Sequence, residues 1–429
     1  MADIRKVEQA ISKAVAFLVS AQNEDGSWTV VPGRHSEPQY LEKSIAITSE
    51  LTLAVILNAH KDNINPIIKG INFCLTYPLD PYESVDLWGL RLLTLRYANS
   101  ALARKICEKI YGFISIRQTK AGYWRNFPST FNLTNWIAAC ALTIYNPEKK
   151  LLGLVNWFKR NKAQDGFGWG VDGKAAKSEP SFTSNVVLAS LSSGADPTEA
   201  YLQKAREFLA SKQFKNGGWY SSSFTVANKP TTYSTALCTQ ALMLLSENIF
   251  NKNVEKGIDF LLKSQNSKGY WSLLAGEKQF IPYTSYYVLE TLSFYLFLKK
   301  MWKDEKIAKL RDCLSKPQYF AIYLLGMFRE QTKNRLFSVL HSNLLSSKLL
   351  GATQQAVERR TDILRYLNSD GEMDVAELMD CMKKEERYAF LNKRKYYTQI
   401  KADLDFLSSL NLVKKRDERY FSVFDLSSD

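Results

Sequence analysis

The 429 residues contain no CxxC pair: Cys74, Cys107, Cys140, Cys238, Cys313 and Cys381 stand singly. This excludes a close-set disulfide framework or a paired-thiolate zinc ribbon. With no apolar leader ahead of them, reduced thiols in the cytoplasm are the expectation. Long apolar runs are missing too. The most apolar stretches, 292–298 and 320–328, fall well short of the ~20 residues of a membrane-spanning helix, so membrane contact is expected to be peripheral at most. Histidine is scarce, with only His35, His60 and His341, and acidic residues are outnumbered, 43 against 57 lysines and arginines. The resulting net charge of +14 favours anionic partners and says nothing about fold.

What is present is a short phrase written five times: Gln22…Gly26-Ser27-Trp28, Gln118…Gly122-Tyr123-Trp124, Gln164…Gly166-Phe167-Gly168-Trp169, Gln213…Gly217-Gly218-Trp219 and Gln265…Gly269-Tyr270-Trp271. The tryptophans lie 96, 45, 50 and 52 residues apart. The double-length first gap holds a worn unit, Gly70 to Leu75 followed by Pro81 to Leu90, which makes six units. A fixed period of this size marks a repeat architecture.

Each unit pairs two kinds of helix. Segments such as 15–20 and 257–263, ahead of the phrase, are amphipathic with lysines on one side. Segments 136–142, 184–191 and 234–242, after it, are small or apolar nearly all round and are expected to be buried. The pattern predicts an all-α (α/α)6 toroid over residues 1–300, with lysine-bearing helices outside, uncharged helices inside and a central cavity. The phrase glycines are expected to end the outer helices in left-handed caps. The loop hydroxyls of Ser181, Thr183, Thr231, Thr232, Thr284 and Ser285 are expected to cap the inner ones.

The Gln…Gly-x-Trp phrase at this period resembles the QW motif of the terpenoid cyclase and protein prenyltransferase superfamily, whose members are (α/α)6 toroids. The resemblance implies a glutamine amide stacked on each tryptophan. The chemistry that accompanies the motif is not written here. The Asp-x-Asp-Asp acid run of squalene-hopene-type cyclases would align with Pro180-Ser181-Phe182-Thr183, and neither it nor Asp-Asp-x-x-Asp occurs in the chain. Zinc-binding prenyltransferase β-subunits use an aspartate, a cysteine and a histidine. Cys238 lacks both companions, so no metal and no cofactor are expected.

Three acids are candidates for a catalytic role because they precede or open inner helices: Glu37 in Ser36-Glu37-Pro38, Glu179 in Ser178-Glu179-Pro180, and Asp86 beside Trp88. An apolar cavity raises a carboxyl pKa and makes an acid of it; the competing role is interaction with the helix dipole. Trp136, Phe182, Tyr233, Tyr283 and Tyr286 cluster at loop-to-inner-helix junctions, where aromatic walls accept a prenyl chain or stabilise a cation. Packing between hairpins is the competing reading. Arg34, Arg125, Lys174 and Lys177 lie in the same loops, where a diphosphate could bind.

Beyond residue 300 the phrase stops. Residues 301–353 read as connecting helices, with 319–328 apolar enough to dock on the ring. Residues 354–429 read as helix, turn at Ser369-Asp370-Gly371, helix, basic stretch, long helix and a two-stranded hairpin around Asp417-Glu418. This order resembles a winged helix. Lys393, Arg394 and Lys395 would open its recognition helix and Lys414, Lys415 and Arg416 its wing, where cations suit phosphate contacts. From residue 301 onward, 23 basic side chains face 19 acidic ones, so DNA and protein are both open as partners. The reading that best fits the missing motifs is a binding protein or regulator whose toroid holds an isoprenoid-like or other apolar molecule or a partner segment. The alternatives are an unorthodox cyclase or prenyltransferase acting on a polyprenyl substrate, and a scaffold subunit.

Overall fold

The computed structural model describes residues 3–29, 45–305 apart from 82, 99, 126–131, 174 and 221–228, and then 307, 309, 317–346, 354–384, 388 and 393–423. Glu37, Arg34, His35 and Lys174 lie outside the described residues, as do the side chains of His341, Lys393, Arg394 and Lys395.

Twelve helices alternate between two concentric rings. The outer ones are α1 (Ile4–Ser20), α3 (Ile64–Thr76), α5 (Ala101–Ile116), α7 (Leu152–Arg160), α9 (Ala200–Ser211) and α11 (Lys252–Lys263). The inner ones are α2 (Ile45–Ile56), α4 (Val85–Leu95), α6 (Asn132–Tyr145), α8 (Pro180–Ser192), α10 (Thr232–Leu245) and α12 (Pro282–Met301). Each inner helix packs on the next and α12 packs back on α2, so the ring closes. The sequence dictates this partition. The outer helices bury one stripe, as α1 does with Val7, Ala10, Ile11, Ala14, Val15 and Leu18, whereas every residue of α10 is buried.

The repeated phrase is the joint between hairpins. Each tryptophan is fully buried, and its indole Nε1 donates to a carbonyl of the preceding outer helix: Trp28 to Leu18, Trp124 to Ile114, Trp169 to Phe158, Trp219 to Leu209 and Trp271 to Leu261, all at 2.7–2.9 Å. Those carbonyls are the ones a helix end leaves without an intrahelical donor. The tryptophan's own N–H donates to a hydroxyl or amide oxygen on the following inner helix, Thr183 Oγ1, Thr235 Oγ1 and Asn135 Oδ1 among them, at 2.9–3.0 Å. These hydroxyls therefore serve the tryptophan. Thr231 takes the capping role expected of it, accepting from Ser234 N.

The glutamines bond to backbone as well. Nε2 of Gln213 donates both to its own Gly217 carbonyl and to Asn253 O in the next outer helix, at 2.9 Å each, and Gln265 donates to Gly269 O and to Ala10 O in α1 at 2.8 Å each. The last unit thus grips the first. The glycines are left-handed, as with Gly217 at φ +94° and Gly269 at φ +109°, but they are not helix caps. The outer helices end earlier, at Lys212 and Ser264 with negative φ, and each glycine sits in the turn that follows. A Cβ on Gly217 would lie 2.2 Å from Lys256 O, and one on Gly269 would lie 2.5 Å from Lys13 O, so close approach to the next helix also demands glycine there.

The worn unit, α3 and α4, uses a different joint. Arg91 on α4 is fully buried, and its guanidinium donates to the carbonyls of Cys74, Tyr77 and Pro78 at the end of α3. It satisfies the helix end that an indole satisfies elsewhere.

Short strands β1 (Trp219–Tyr220) and β2 (Pro230–Thr231) pair antiparallel at the start of α10. After the ring, α13 (Pro317–Ser346) packs on α10 and α12. Then follow α14 (Gln354–Asp370), α15 (Val375–Lys383), α16 (Lys393–Ser409) and the hairpin β3 (Val413–Arg416) with β4 (Arg419–Ser422). A backbone bridge from Met373 to Tyr420 adds a third short strand position between α14 and α15. The hairpin turns at Asp417, φ +55°. Asn72 Nδ2 donates to Asn411 O at 3.2 Å and Arg104 Nη2 to Asn368 O at 3.1 Å, tying this C-terminal segment to α3 and α5.

Among the described residues no helix is long and apolar enough to cross a membrane. Cys74, Cys107, Cys140, Cys238 and Cys381 are free thiols.

Candidate functional site

A cavity of about 280 Å³ lies inside the ring. Inner helices α2, α4, α6, α8, α10 and α12 wall it with Leu53, Leu90, Trp136, Leu188, Leu244 and Tyr287, and α13 closes one end with Ile322, Leu325, Phe328 and Arg329. That end collects the C-termini of the inner helices. Arg335 on α13 donates to the Leu57 carbonyl just past α2, placing a cation at the negative end of a helix dipole.

Trp136, Tyr286 and Tyr287 line the cavity, and Tyr233 and Tyr283 pack against them outside its lining. Tyr233 stands edge-on to both Tyr283 and Tyr287, at 5.5 and 5.4 Å between centroids. Tyr287 touches Trp136 at 5.4 Å and Tyr286 at 4.7 Å. Four of the five aromatics expected from the sequence thus join one cluster through Tyr287. Phe182, half-buried in the first turn of α8, is not part of the cavity lining.

Two acids project from otherwise uncharged inner surfaces. Glu50 is the single charged residue of α2, only 7% exposed and one turn from Leu53, though not itself among the residues that line the cavity. Burial, reinforced by Asp86, pushes its carboxyl from 4.5 up to about 8. It is therefore mostly neutral at pH 7 and a hydrogen-bond donor. Burial raises the phenols of Tyr233, Tyr286 and Tyr287 well above their ordinary value, so all three keep their protons. Glu290, the one acid of α12, lines the cavity itself. Burial raises its carboxyl, opposed by Arg329 and by a hydrogen bond from Gln240. Asn185 on α8 is buried beside the Tyr233 hydroxyl, and neither atom of its amide has a well-formed hydrogen bond.

Asp86, half-buried in the first turn of α4, belongs to this site as the neighbour that destabilises ionised Glu50. Glu179 occupies the N-cap position of α8 without a side-chain capping bond, and it lines no part of the cavity. Of the cations on the β3–β4 hairpin, Lys415 pairs with Glu418 and Arg416 with Glu372, while Lys414 is held below its ordinary pKa by burial and by Lys69. No group of acids, cysteines and histidines among the described residues is set to hold a metal ion.

Glu50, Glu290, Asn185, Gln240 and Arg329 escaped the sequence reading, which looked for acids at inner-helix starts. The available signal was simpler: an isolated carboxylate inside an uncharged helix is buried with it.

The architecture is that of a terpenoid-cyclase-like toroid. Residues 181–289 match the sequence model of the squalene-hopene cyclase C-terminal domain. In structure the chain is similar to the type II terpene cyclase MstE from Scytonema without ligand (TM-score 0.52, 15% identity, covering 69% of this chain and 99% of that one). It is also similar to a protein from Actinoplanes (0.50, 13%, 67% and 98%) and to a glycosidase (0.50, 9%, 69% and 99%). No curated protein sequence matches the chain. The glycosidase shares the ring with different chemistry, so these likenesses define the fold alone.

Proposed function

We propose that the toroid is a binding protein for a small, isoprenoid-like apolar molecule carrying an oxygen, which accepts a hydrogen bond from neutral Glu50. The observation behind this reading is the direction of the Glu50 shift. Burial and the neighbouring Asp86 keep Glu50 protonated, but they supply no cation or hydrogen bond to hold the carboxylate that proton transfer to an alkene would leave. A carboxylic acid kept neutral in an apolar site is suited to donating a hydrogen bond. The cavity, at about 280 Å³, sits at the small end of the range for ligand pockets, which suits a compact chain such as geraniol.

Geraniol binding by wild-type protein is expected to weaken as pH rises through about 8, by up to roughly tenfold for the loss of one hydrogen bond to a buried group. Glu50→Gln, still a donor, should bind with a flat pH profile. Titrations at pH 6 and pH 9 measure both, and a pH-independent wild type would sink the role given to Glu50. The enzyme reading keeps support from the match to the cyclase C-terminal domain over 181–289. Incubation with prenyl diphosphates or squalene, with and without Mg2+, tests it: product formation abolished by Glu50→Gln or Asp86→Asn would make the protein an enzyme.

The division into ring (1–300), connecting helices (301–353) and C-terminal module (354–429) is part of the same proposal. The order α14, Met373 bridge, α15, α16 and β3–β4 hairpin supports a winged-helix module. Arg416 and Arg419 are already engaged by Glu372 and Glu377, and α14 and β4 rest on α5. This favours protein docking over DNA for the module. Salt-sensitive retention of duplex DNA, lost on charge reversal of Lys393, Arg394 and Lys395, would reverse that assignment.

A further inference from the structure

The tryptophan joints give the inner helices a common register. The main-chain N–H groups of Trp28, Trp124, Trp169, Trp219 and Trp271 donate at 2.9–3.4 Å to Thr48, Asn135, Thr183, Thr235 and Ser285, which therefore stand at equivalent positions. Five residues further along each helix come Leu53, Cys140, Leu188, Gln240 and Glu290, and all five line the ring cavity. Equivalent positions in stacked repeats share a backbone environment, and three of these hold leucine or cysteine. The ring therefore builds without a polar side chain at this level. Two neighbouring helices, α10 and α12, depart from the pattern with an amide and a carboxyl.

That departure is unfavourable unless something meets it. A hydrogen bond runs from Gln240 to Glu290, but Gln240 Oε1 is buried with no partner, a loss that leucine at the same position would avoid. Arg329, from α13, lines the same cavity and its charge favours ionised Glu290. Among the described residues, however, no ion pair joins the two. Acceptors on the ring wall and a guanidinium donor on α13 thus border one space. A cation placed there is repelled by Arg329 and an anion by Glu290. A neutral group that both donates and accepts meets both walls, and a hydroxyl is the smallest that does so.

We propose that Gln240, Glu290 and Arg329 form a hydroxyl-recognition site: besides the oxygen assigned to Glu50, the ligand carries an alcohol that donates to the Glu290 carboxyl and accepts from the Arg329 guanidinium. Glu50 lies three residues before Leu53, which sets its level about 4.5 Å from that of Glu290 along the helix axes. The wall thus has two polar levels, and the ligand class they fit is an uncharged chain of isoprenoid size with two oxygens. This inference rests on the apolar-ligand reading above and specifies the ligand further.

Calorimetric titration with geraniol and 8-hydroxygeraniol, which differ by one hydroxyl at the far end of the chain, tests it. A hydroxyl buried in a cavity without partners weakens binding, whereas one held by a charged group strengthens it by roughly tenfold. 8-Hydroxygeraniol is therefore expected to bind wild-type protein roughly tenfold tighter than geraniol. In Gln240→Leu/Glu290→Leu, which restores the apolar side chain of the equivalent positions, the order should reverse, with thermal melts to show that the variant is folded. The wild-type comparison needs no variant, so the test stays decisive if the double substitution does not fold. Geraniol binding as tightly as the diol, or more tightly, in the wild type overturns the inference and leaves the apolar-ligand reading standing. A diol preference that persists in the folded variant overturns the assignment to these residues, and failure of both molecules to bind the wild type overturns both readings.

Discussion

At the scale of single residues, the protein places ionisable groups where burial alone decides their state. Glu50 illustrates the consequence for stability. Its folded pKa of about 8 lies above its ordinary 4.5, so between those values the folded state holds a proton that the unfolded chain has released. Stability attributable to this group is therefore full below pH 4.5, declines as pH rises, and levels off above about 8. At about 1.36 kcal/mol per unit the upper limit is of order 5 kcal/mol. Glu50→Gln should accordingly match the wild type near pH 4.5 and exceed it above pH 8 in denaturant melts. Equal slopes of stability against pH would contradict the burial argument. Arg91 gives the opposite case: Arg91→Met should destabilise the protein by about 3 kcal/mol, because it strands three carbonyls at the end of α3. Neither residue was legible as functional or structural from spacing, since the phrase draws the eye to tryptophans and the worn unit has lost its own.

At the scale of elements, the phrase was legible in placement and only partly in role. Its period predicted hairpins and its glycines predicted left-handed turns, because both follow from backbone sterics. The fork of Gln22, Gln213 and Gln265 between two hairpins depends on the neighbouring unit's position, which local sequence does not encode. Gln265 is the informative member, since its second bond reaches Ala10 and seals the first hairpin to the last. Gln265→Ala should cost roughly 1 kcal/mol or somewhat more and speed amide exchange in α1 and α11 more than in α5 and α7. Uniform exchange across the outer helices would show that closure depends on packing alone. Trp219→Ala removes a fully buried indole and its bond to Leu209 O, and about 3–5 kcal/mol of destabilisation is expected in thermal melts.

For the whole molecule, closing the ring creates the cavity and α13 decides its shape. The sequence foresaw that 319–328 would dock, because the stretch is apolar. It could not show that Arg335 from the same helix would meet the Leu57 carbonyl past α2, or that Arg329 would line the ring cavity, juxtapositions that exist only after closure. Gly326 lines the ring cavity from α13, and a Cβ there would meet nothing within 4 Å. A large ring in its place is therefore expected to occupy cavity space without disturbing the helix. The most direct measurement of the central claim is calorimetric titration of geraniol into wild-type protein and into Gly326→Trp, with thermal melts to show that both are folded. Saturable binding with a negative heat-capacity change, lost in Gly326→Trp, is the predicted result. An absence of binding to the wild type, or equal binding to both proteins, would contradict the assignment of this cavity as the ligand site.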